Sequence, residues 1–396
     1  MSDDQLLGLI HRASTLLPTD PEQALKDLQA FQNTYSNNPL FLQTLGEAYL
    51  ENSDVESAYG VLSKACELDP VAQEGIEKFF HLGQIIGGEN GVQLLEVGIA
   101  KLINQAQILQ SLSQGELQND ENLDTSVKIL LQAYGTEEKI GEYIISKLTQ
   151  GIAAIVEIWM TDLCMLPQAE SECEKWTSTL SDMCYENPET HSIIASVRIS
   201  QERTDEAIKE IQISWDLFQK KKQALEDIAN TTENIDPDEI EMLYIELYQP
   251  LVTLAKYAVE CGLFETASEI ASSARDINED GVEALYVEGF SNYLEALRLQ
   301  NADVDAIQLG RNFENYKLNT DSVMEHPSFE YIRNSQLALS AAVKALHDRE
   351  LAAQIDEELQ STIRTLLETV GGFINKEKDE SGIDENNWEN EIPEAE

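Results

Sequence analysis

The run from Pro39 to Pro70, PLFLQTLGEAYLENSDVESAYGVLSKACELDP, leaves this chain few ways to fold. Leu42, Leu45 and Tyr49 fall on one helical stripe, and Ala58, Leu62 and Ala65 on a second. Gly46 and Ala58 are small where two helix backbones must come close. Asn52-Ser53-Asp54 supplies a turn and a side-chain cap for the second helix, and Pro70 cannot continue it. A helical hairpin of about 34 residues cannot bury its apolar stripe alone, so it demands stacked neighbours.

The pattern recurs. Phe79, Leu82, Gly83 and Ile86 precede a second run of Leu94, Leu95, Ile99 and Leu102. Gly83 stands twelve residues before Leu95, as Gly46 stands twelve before Ala58, and Ala195–Ala207 and Ala255–Ala267 repeat that interval. These are tetratricopeptide spacings. They predict an all-α superhelical solenoid of helix-turn-helix repeats, with a degenerate first repeat formed by residues 5–17 and a helix that opens at Pro21, carries Phe31 and is stopped by Asn37-Asn38-Pro39. A stack grows by adding neighbours, so 396 residues need no single large core. Gly87-Gly88-Glu89-Asn90-Gly91 reads as an interhelix turn, because a phosphate loop would need a preceding strand and a following Lys-Ser/Thr.

Punctuation divides the chain into a first helical array over 1–225, an acidic linker over 226–239, a second array over 240–371 and an acidic disordered tail over 372–396. A polar loop at 111–126 interrupts the first array, and the register loosens over 301–327. The last helices are expected near 328–346 and 351–370, with Gly371-Gly372 as the C-cap. Trp388 is the tail's single large apolar group, either idle or a docking anchor.

Charge narrows the function. Against 26 Lys and Arg stand 73 Asp and Glu, a formal net charge of −47. Such a surface repels nucleic acid and anionic lipid and attracts basic polypeptides, unless its acid serves solubility alone. The apolar run 151–160 is too short to span a membrane and contains Glu157, and the acidic N-terminus is no signal peptide. A soluble intracellular protein is expected. Five cysteines without a C-x-x-C pair fit small core residues in a reducing compartment. The five histidines lie outside metal-ligand spacings, and no nucleophile elbow, Walker loop or dinucleotide fingerprint occurs. We therefore expect no enzyme, no cofactor and no metal. Lys220-Lys221-Lys222 reads as basic residues at a helix C-terminus, or as nuclear targeting.

Stacked hairpins offer an extended surface lined by their first helices. In the clearest repeat the positions off the buried stripe are Gln43, Glu47 and Glu51, and in the next Glu77, Phe80 and Gln84. Carboxylates suit Lys and Arg heads, amides suit a peptide backbone, and Phe80 suits aliphatic stems. Any one of these positions is equally compatible with a solvated helix face.

Three segments carry a family resemblance: Phe79–Gly91 (FFHLGQIIGGENG), Glu157–Glu174 (EIWMTDLCMLPQAESECE) and Ala195–Gln201 (ASVRISQ). They resemble the fungal tetratricopeptide chaperones dedicated to ribosomal protein number four of the large subunit, and the similarity covers roughly residues 20–300. The resemblance implies capture of that newly made basic protein by its long internal loop, escort into the nucleus and release at the pre-ribosome. It implies cytoplasm and nucleus as locations, with import machinery as a further partner. Neither nucleic acid nor membrane is expected as a direct partner. Glu157 and Asp162 join the expected client surface as acidic positions within the matching segment. An acidic histone chaperone is the alternative. A co-chaperone gripping an acidic C-terminus would need Lys and Asn where Gln43 and Glu47 stand.

Overall fold

The structure, a computed structural model, describes residues 3–113, 125–231, 237–320 and 326–374, and among them there are helices and no strand. Two compact units divide at Thr190/His191. Unit 1 contains α1 (Asp3–Leu16), α2 (Pro21–Gln29), α3 (Pro39–Glu51), α4 (Val55–Leu68), α5 (Glu77–Ile86), α6 (Gly88–Ser113), α7 (Thr125–Tyr134), α8 (Glu137–Met160) and α9 (Ala169–Cys184). The chain crosses into unit 2 within α10 (Pro188–Ser200). There follow α11 (Thr204–Thr231), α12 (Pro237–Ile245), α13 (Tyr248–Glu260), α14 (Phe264–Arg275), α15 (Val282–Gln300), α16 (Ala306–Arg311), α17 (Ser328–Ala345), α18 (Arg349–Gln354) and α19 (Glu357–Thr369).

In unit 1 the hairpins α1/α2, α3/α4, α5/α6 and α8/α9 pack in succession, and their first helices also touch: α1 on α3, α3 on α5, α5 on α8. Each hairpin is closed by local chemistry. Asp20, Asn38 and Asp54 accept the backbone N–H of Gln23, Phe41 and Ser57 at 3.0, 2.8 and 3.0 Å, which satisfies donors that a helix start leaves open. Pro21 and Pro39 occupy first helical positions, where a missing N–H costs nothing. Buried Leu28, Phe41, Leu45, Leu62, Leu95, Ile99 and Leu102 belong to the apolar interior these caps align.

The small residues act as expected, though against partners the spacing did not name. A Cβ on Gly46 would lie 2.5 Å from Leu62 Cδ2, and one on Gly91 only 2.4 Å from the carbonyl oxygen of Gly83. Backbones of α5 and α6 thus meet almost directly. The expected turn at Gly87–Gly91 shrinks accordingly. Gly87 and Gly88 take φ of +64° and +54°, α6 starts at Gly88, and Glu89-Asn90-Gly91 is already helical so that Gly91 can reach Gly83.

Unit 2 repeats the architecture with α15/α17, α14/α15 and α13/α14 as its principal packings, and α19 against α17. Ala195, Ala207, Ala255, Ala267 and Ala271 share one apolar cluster with Ile211, Phe218 and Leu254. A second cluster gathers Leu285, Leu294, Leu339, Ile363 and Val370. Beyond Thr369, Gly371 and Gly372 donate their N–H groups to the carbonyls of Glu368 and Leu367 at 3.2 and 2.8 Å, the C-terminal glycine motif expected there.

Several boundaries depart from the sequence reading. Helix α2 stops at Gln29, before Phe31. The linker expected from residue 226 begins inside α11, which stays helical to Thr231 because Leu225 is buried and the Tyr244 hydroxyl of α12 donates to Glu226 at 3.3 Å. For the same reason Lys220–Lys222 lie within a helix and not at its end. The expected final helix is two, α18 and α19, since Asp356 caps α19 by accepting the N–H of Glu358 at 2.7 Å. Four of the five cysteines are buried, while Cys164 is exposed. Within the loose region, α16 and a 3₁₀ turn at Phe313–Asn315 are ordered elements. Residues 114–124, most of the expected polar loop, lie outside the described residues, as do 232–236, 321–325 and the tail from 375 with Trp388. No helix among the described residues is long and apolar enough to cross a membrane.

Two glycines with opposite surroundings test the packing. Gly91→Ala should destabilise unit 1 by about 1–3 kcal/mol, because its Cβ meets backbone that cannot rotate away. Gly8→Ala, on an exposed stretch of α1 with nothing within 4 Å of the new Cβ, should stabilise by about 0.5–1 kcal/mol. Urea denaturation of both variants reads the contrast.

Candidate functional site

The first helices of all four unit 1 hairpins line one cavity of about 430 Å³. Helix α1 contributes Ile10 and Ser14, and the turn after it Leu17; α3 contributes Leu40, Gln43, Thr44, Glu47, Leu50 and Glu51; α5 contributes Glu77 and His81; α8 contributes Lys147. Four of the eight residues expected at a client surface (Gln43, Glu47, Glu51 and Glu77) are therefore brought together.

Glu77 is the knot of the site. Its Oε2 accepts from the Gln43 amide at 3.1 Å and from the N–H of Ile76 at 3.1 Å, and its Oε1 accepts from the Tyr143 hydroxyl at 2.9 Å. Lys147 Nζ stands 3.9 Å from Oε1. Burial pushes this carboxyl up, but the Lys147 charge and the donated hydrogen bonds outweigh it and hold Glu77 below the usual range. A carboxylate so bound ties α3, α5 and α8 together. Tyr143, buried beside this charge, is pushed above its ordinary value.

Next door, Lys78 is completely buried. Its Nζ reaches Asp69 Oδ2 at 2.8 Å and the carbonyls of Glu74 and Gly75, while its own N–H donates to Gln43 Oε1 at 3.3 Å. Asp69 in turn accepts the N–H groups of Gln73 and Glu74 at 2.8 and 2.9 Å. Burial works against its charge, yet Lys78 and these donors keep its pKa low. This closed polar network anchors the α4–α5 connection and sets where Glu77 stands.

Glu47 is placed differently. Among the described residues it forms no ion pair within 4 Å, and burial, then the neighbouring Glu77 charge, push its carboxyl up to about 7, with Gln43 and Lys147 opposing and Glu51 adding to the rise. His81 is lowered, first by burial and also by Lys147, against the pull of Glu77. The cavity holds three carboxylates against one ammonium, between apolar walls of Ile10, Leu17, Leu40 and Leu50. Chemically it can accept a cation with an aliphatic stem.

The other four expected residues lie apart. Phe80 is a core residue, 6% exposed: Cβ atoms on Gly98 or Gly151 would stand 2.5 or 2.6 Å from its ring, so it locks α5 to α6 and α8 instead of facing a ligand. Gln43, one of the four on the cavity wall, is equally buried and braces Glu77 and Lys78. Asp162 accepts the Gly88 N–H at 3.0 Å and so caps the start of α6. Gln84 and Glu157 are exposed but line no part of this cavity. Sequence reasoning missed Lys147, Tyr143, His81 and the α1 wall. Tyr143 and Lys147 stand one turn apart in α8, but nothing local sets them apart from its Lys139, Glu142 and Glu157.

In unit 2 a recess of about 710 Å³ is lined by polar side chains of α11, α14, α15 and α17, among them Trp215, Glu226, Glu269 and Asn292. Lys222 donates there to the carbonyl and hydroxyl of Ser273 at 3.3 and 3.0 Å and to Asp276 at 3.1 Å, so that lysine is engaged within its own unit. Among the described residues no group of three or more His, Cys, Asp or Glu is arranged to hold a metal.

Known proteins resemble this chain. A family model described as the ACL4 C-terminal domain matches residues 280–384. A protein of Schizosaccharomyces pombe named "Probable assembly chaperone of rpl4" is 26% identical over 350 residues, covering 88% of this chain and 84% of that protein. One of the same name in Emericella nidulans is 26% identical over 223 residues, covering 53% of this chain and 49% of that protein. The solved structure of "Assembly Chaperone of RpL4 (Acl4)", residues 1–338, has a TM-score of 0.54 and 25% identity, covering 75% of this chain and 98% of that one. The chain is thus similar over most of its length to fungal assembly chaperones of rpl4, as the three sequence segments implied.

Glu47 gives a stability test with a definite sign. A carboxyl whose folded pKa lies above its unfolded value of 4.5 imposes no cost below that value. The cost grows as pH rises toward about 7 and stays constant above. Glu47→Gln removes the cost. The variant should match the parent near pH 4 and exceed it near pH 8 by roughly 3 kcal/mol, read by calorimetric melting across that range.

Proposed function

We propose that this protein is a dedicated chaperone of the basic large-subunit ribosomal protein named in its relatives, rpl4, and acts as a binding module instead of an enzyme. The observation that carries the reading is the cavity on the first helices of unit 1, acidic in excess and apolar in its walls, in a chain with 88% of its length aligned to one such chaperone. A ribosomal protein segment that ends its journey against RNA is rich in Lys and Arg, and exposed in the cell it aggregates or binds stray RNA. Carboxylates along the first helices stand in for the phosphates it will later meet, and the net charge of −47 speeds the encounter. We take the segment to be an extended internal loop of the client.

Release follows from the same physics. Ribosomal RNA is a denser polyanion, and competition from it frees the client without nucleotide hydrolysis. Loading on newly made protein and unloading at the pre-ribosome place the chaperone in both cytoplasm and nucleus, with import receptors as further contacts. That itinerary rests on the mechanism and on the likeness to the named relatives.

Affinity purification of the tagged chain from fungal extract tests the reading. The ribosomal protein should dominate the bound fraction at about 0.1 M salt and fall at least tenfold by about 0.5 M, because screening weakens exposed charge pairs. Adding ATP should change nothing. Core histones recovered in place of the ribosomal protein would overturn the assignment in favour of a histone chaperone.

A further inference from the structure

The cavity of unit 1 is asymmetrically charged. Glu77 is satisfied by Gln43, Ile76, Tyr143 and Lys147, whereas Glu47 and Glu51 have no cation within 4 Å among the described residues. Ile10 of α1, Leu17 just past its end, and Leu40 and Leu50 of α3 complete the lining around them with hydrocarbon. A volume of about 430 Å³ far exceeds what a water molecule occupies (~30 Å³).

We propose that this cavity is a subsite for one Lys or Arg side chain of the bound client, its methylene stem against Ile10, Leu17, Leu40 and Leu50 and its charged head between Glu47 and Glu51. The proposal rests on the chaperone reading above and specifies how one residue of that client is held. Long cationic side chains bury their stems along apolar surface while the head seeks a carboxylate, which is the chemistry this lining offers.

Proton linkage follows. The charged or titratable groups facing Glu47 are Glu51 on α3, Glu77 and His81 on α5, and Lys147 and Tyr143 on α8; α1 and the turn after it contribute Ile10, Ser14 and Leu17. With the cavity empty at pH 7, Glu47 carries its proton about half the time. An arriving ammonium or guanidinium favours the ionised form, and the proton leaves to solvent. Burial, with Lys147, lowers His81 and so favours its neutral form.

Isothermal titration of the full chain with a synthetic 20-residue Arg-Gly repeat peptide, at pH 7 in PIPES and in Tris, reads this directly. The parent should release about half a proton per bound peptide through Glu47, and affinity should rise about tenfold between pH 6 and pH 8. Glu47→Gln should lose that share of the release and the pH dependence, while Glu269→Gln, exposed in unit 2, should keep both. Identical enthalpies in the two buffers for the parent, no peptide binding, or a Glu47→Gln variant indistinguishable from the parent would each overturn the subsite. The parent measurement needs no variant to fold. Failure here with the ribosomal protein still captured from extract discards the subsite and leaves the chaperone reading standing, whereas loss of capture discards both.

Discussion

One carboxylate, that of Glu77, holds unit 1 in the arrangement that makes its cavity. Stacked helical hairpins touch through side chains of modest specificity, and apolar stripes alone would let neighbouring first helices slide. Glu77 removes that freedom by accepting from Gln43 on α3 and Tyr143 on α8 while sitting on α5, with Lys147 close by. Its ionised state is preserved despite burial because the donors are already in place. Beneath it the Lys78–Asp69 pair, buried and saturated with backbone partners, fixes the point where α5 begins. Such a pair adds little net stability over an apolar substitute, but leaving either half unpaired would be costly, so it enforces one geometry.

From that constraint the electrostatics follow. Spending Lys147 on Glu77 leaves Glu47 among carboxylates and hydrocarbon, the least comfortable place for a charge in the unit. Folding tolerates the discomfort, and a cationic ligand would relieve it. Function and local instability are then two views of one arrangement: the site is poor in positive charge so that a client can supply it. The rest of the acidic surface contributes reach and rate, not grip.

The hairpin architecture was legible because it rests on short-range rules. Small residues twelve apart, the turn and cap at Asn52-Ser53-Asp54, and Pro21 at a helix start all mark the elements the structure contains. Where reading failed, a tertiary contact decided. Phe80 and Gln43 sit off the first stripe of their helices and were assigned to an open face, yet a third helix, α8, covers one and a neighbouring α5 binds the other. A first helix in a stack has neighbours on both sides, so its buried arc is wider than a single hairpin suggests. Glu226 looked like linker for the opposite reason: acidity on an exposed helix face is indistinguishable, in sequence, from acidity in a loop. Lys147 and the α1 wall are long-range additions to the site that no local pattern could announce.

The central claim is spatial: the client lies along the first helices of unit 1. Photo-crosslinking decides it. A benzoylphenylalanine placed at Ser14, on the cavity wall, is compared with one at Ser178, exposed on the second helix α9, each in complex with the ribosomal protein. The account predicts adducts from position 14 into a Lys- and Arg-rich segment of the client and none from position 178. Adducts from position 178 with none from position 14 would contradict it.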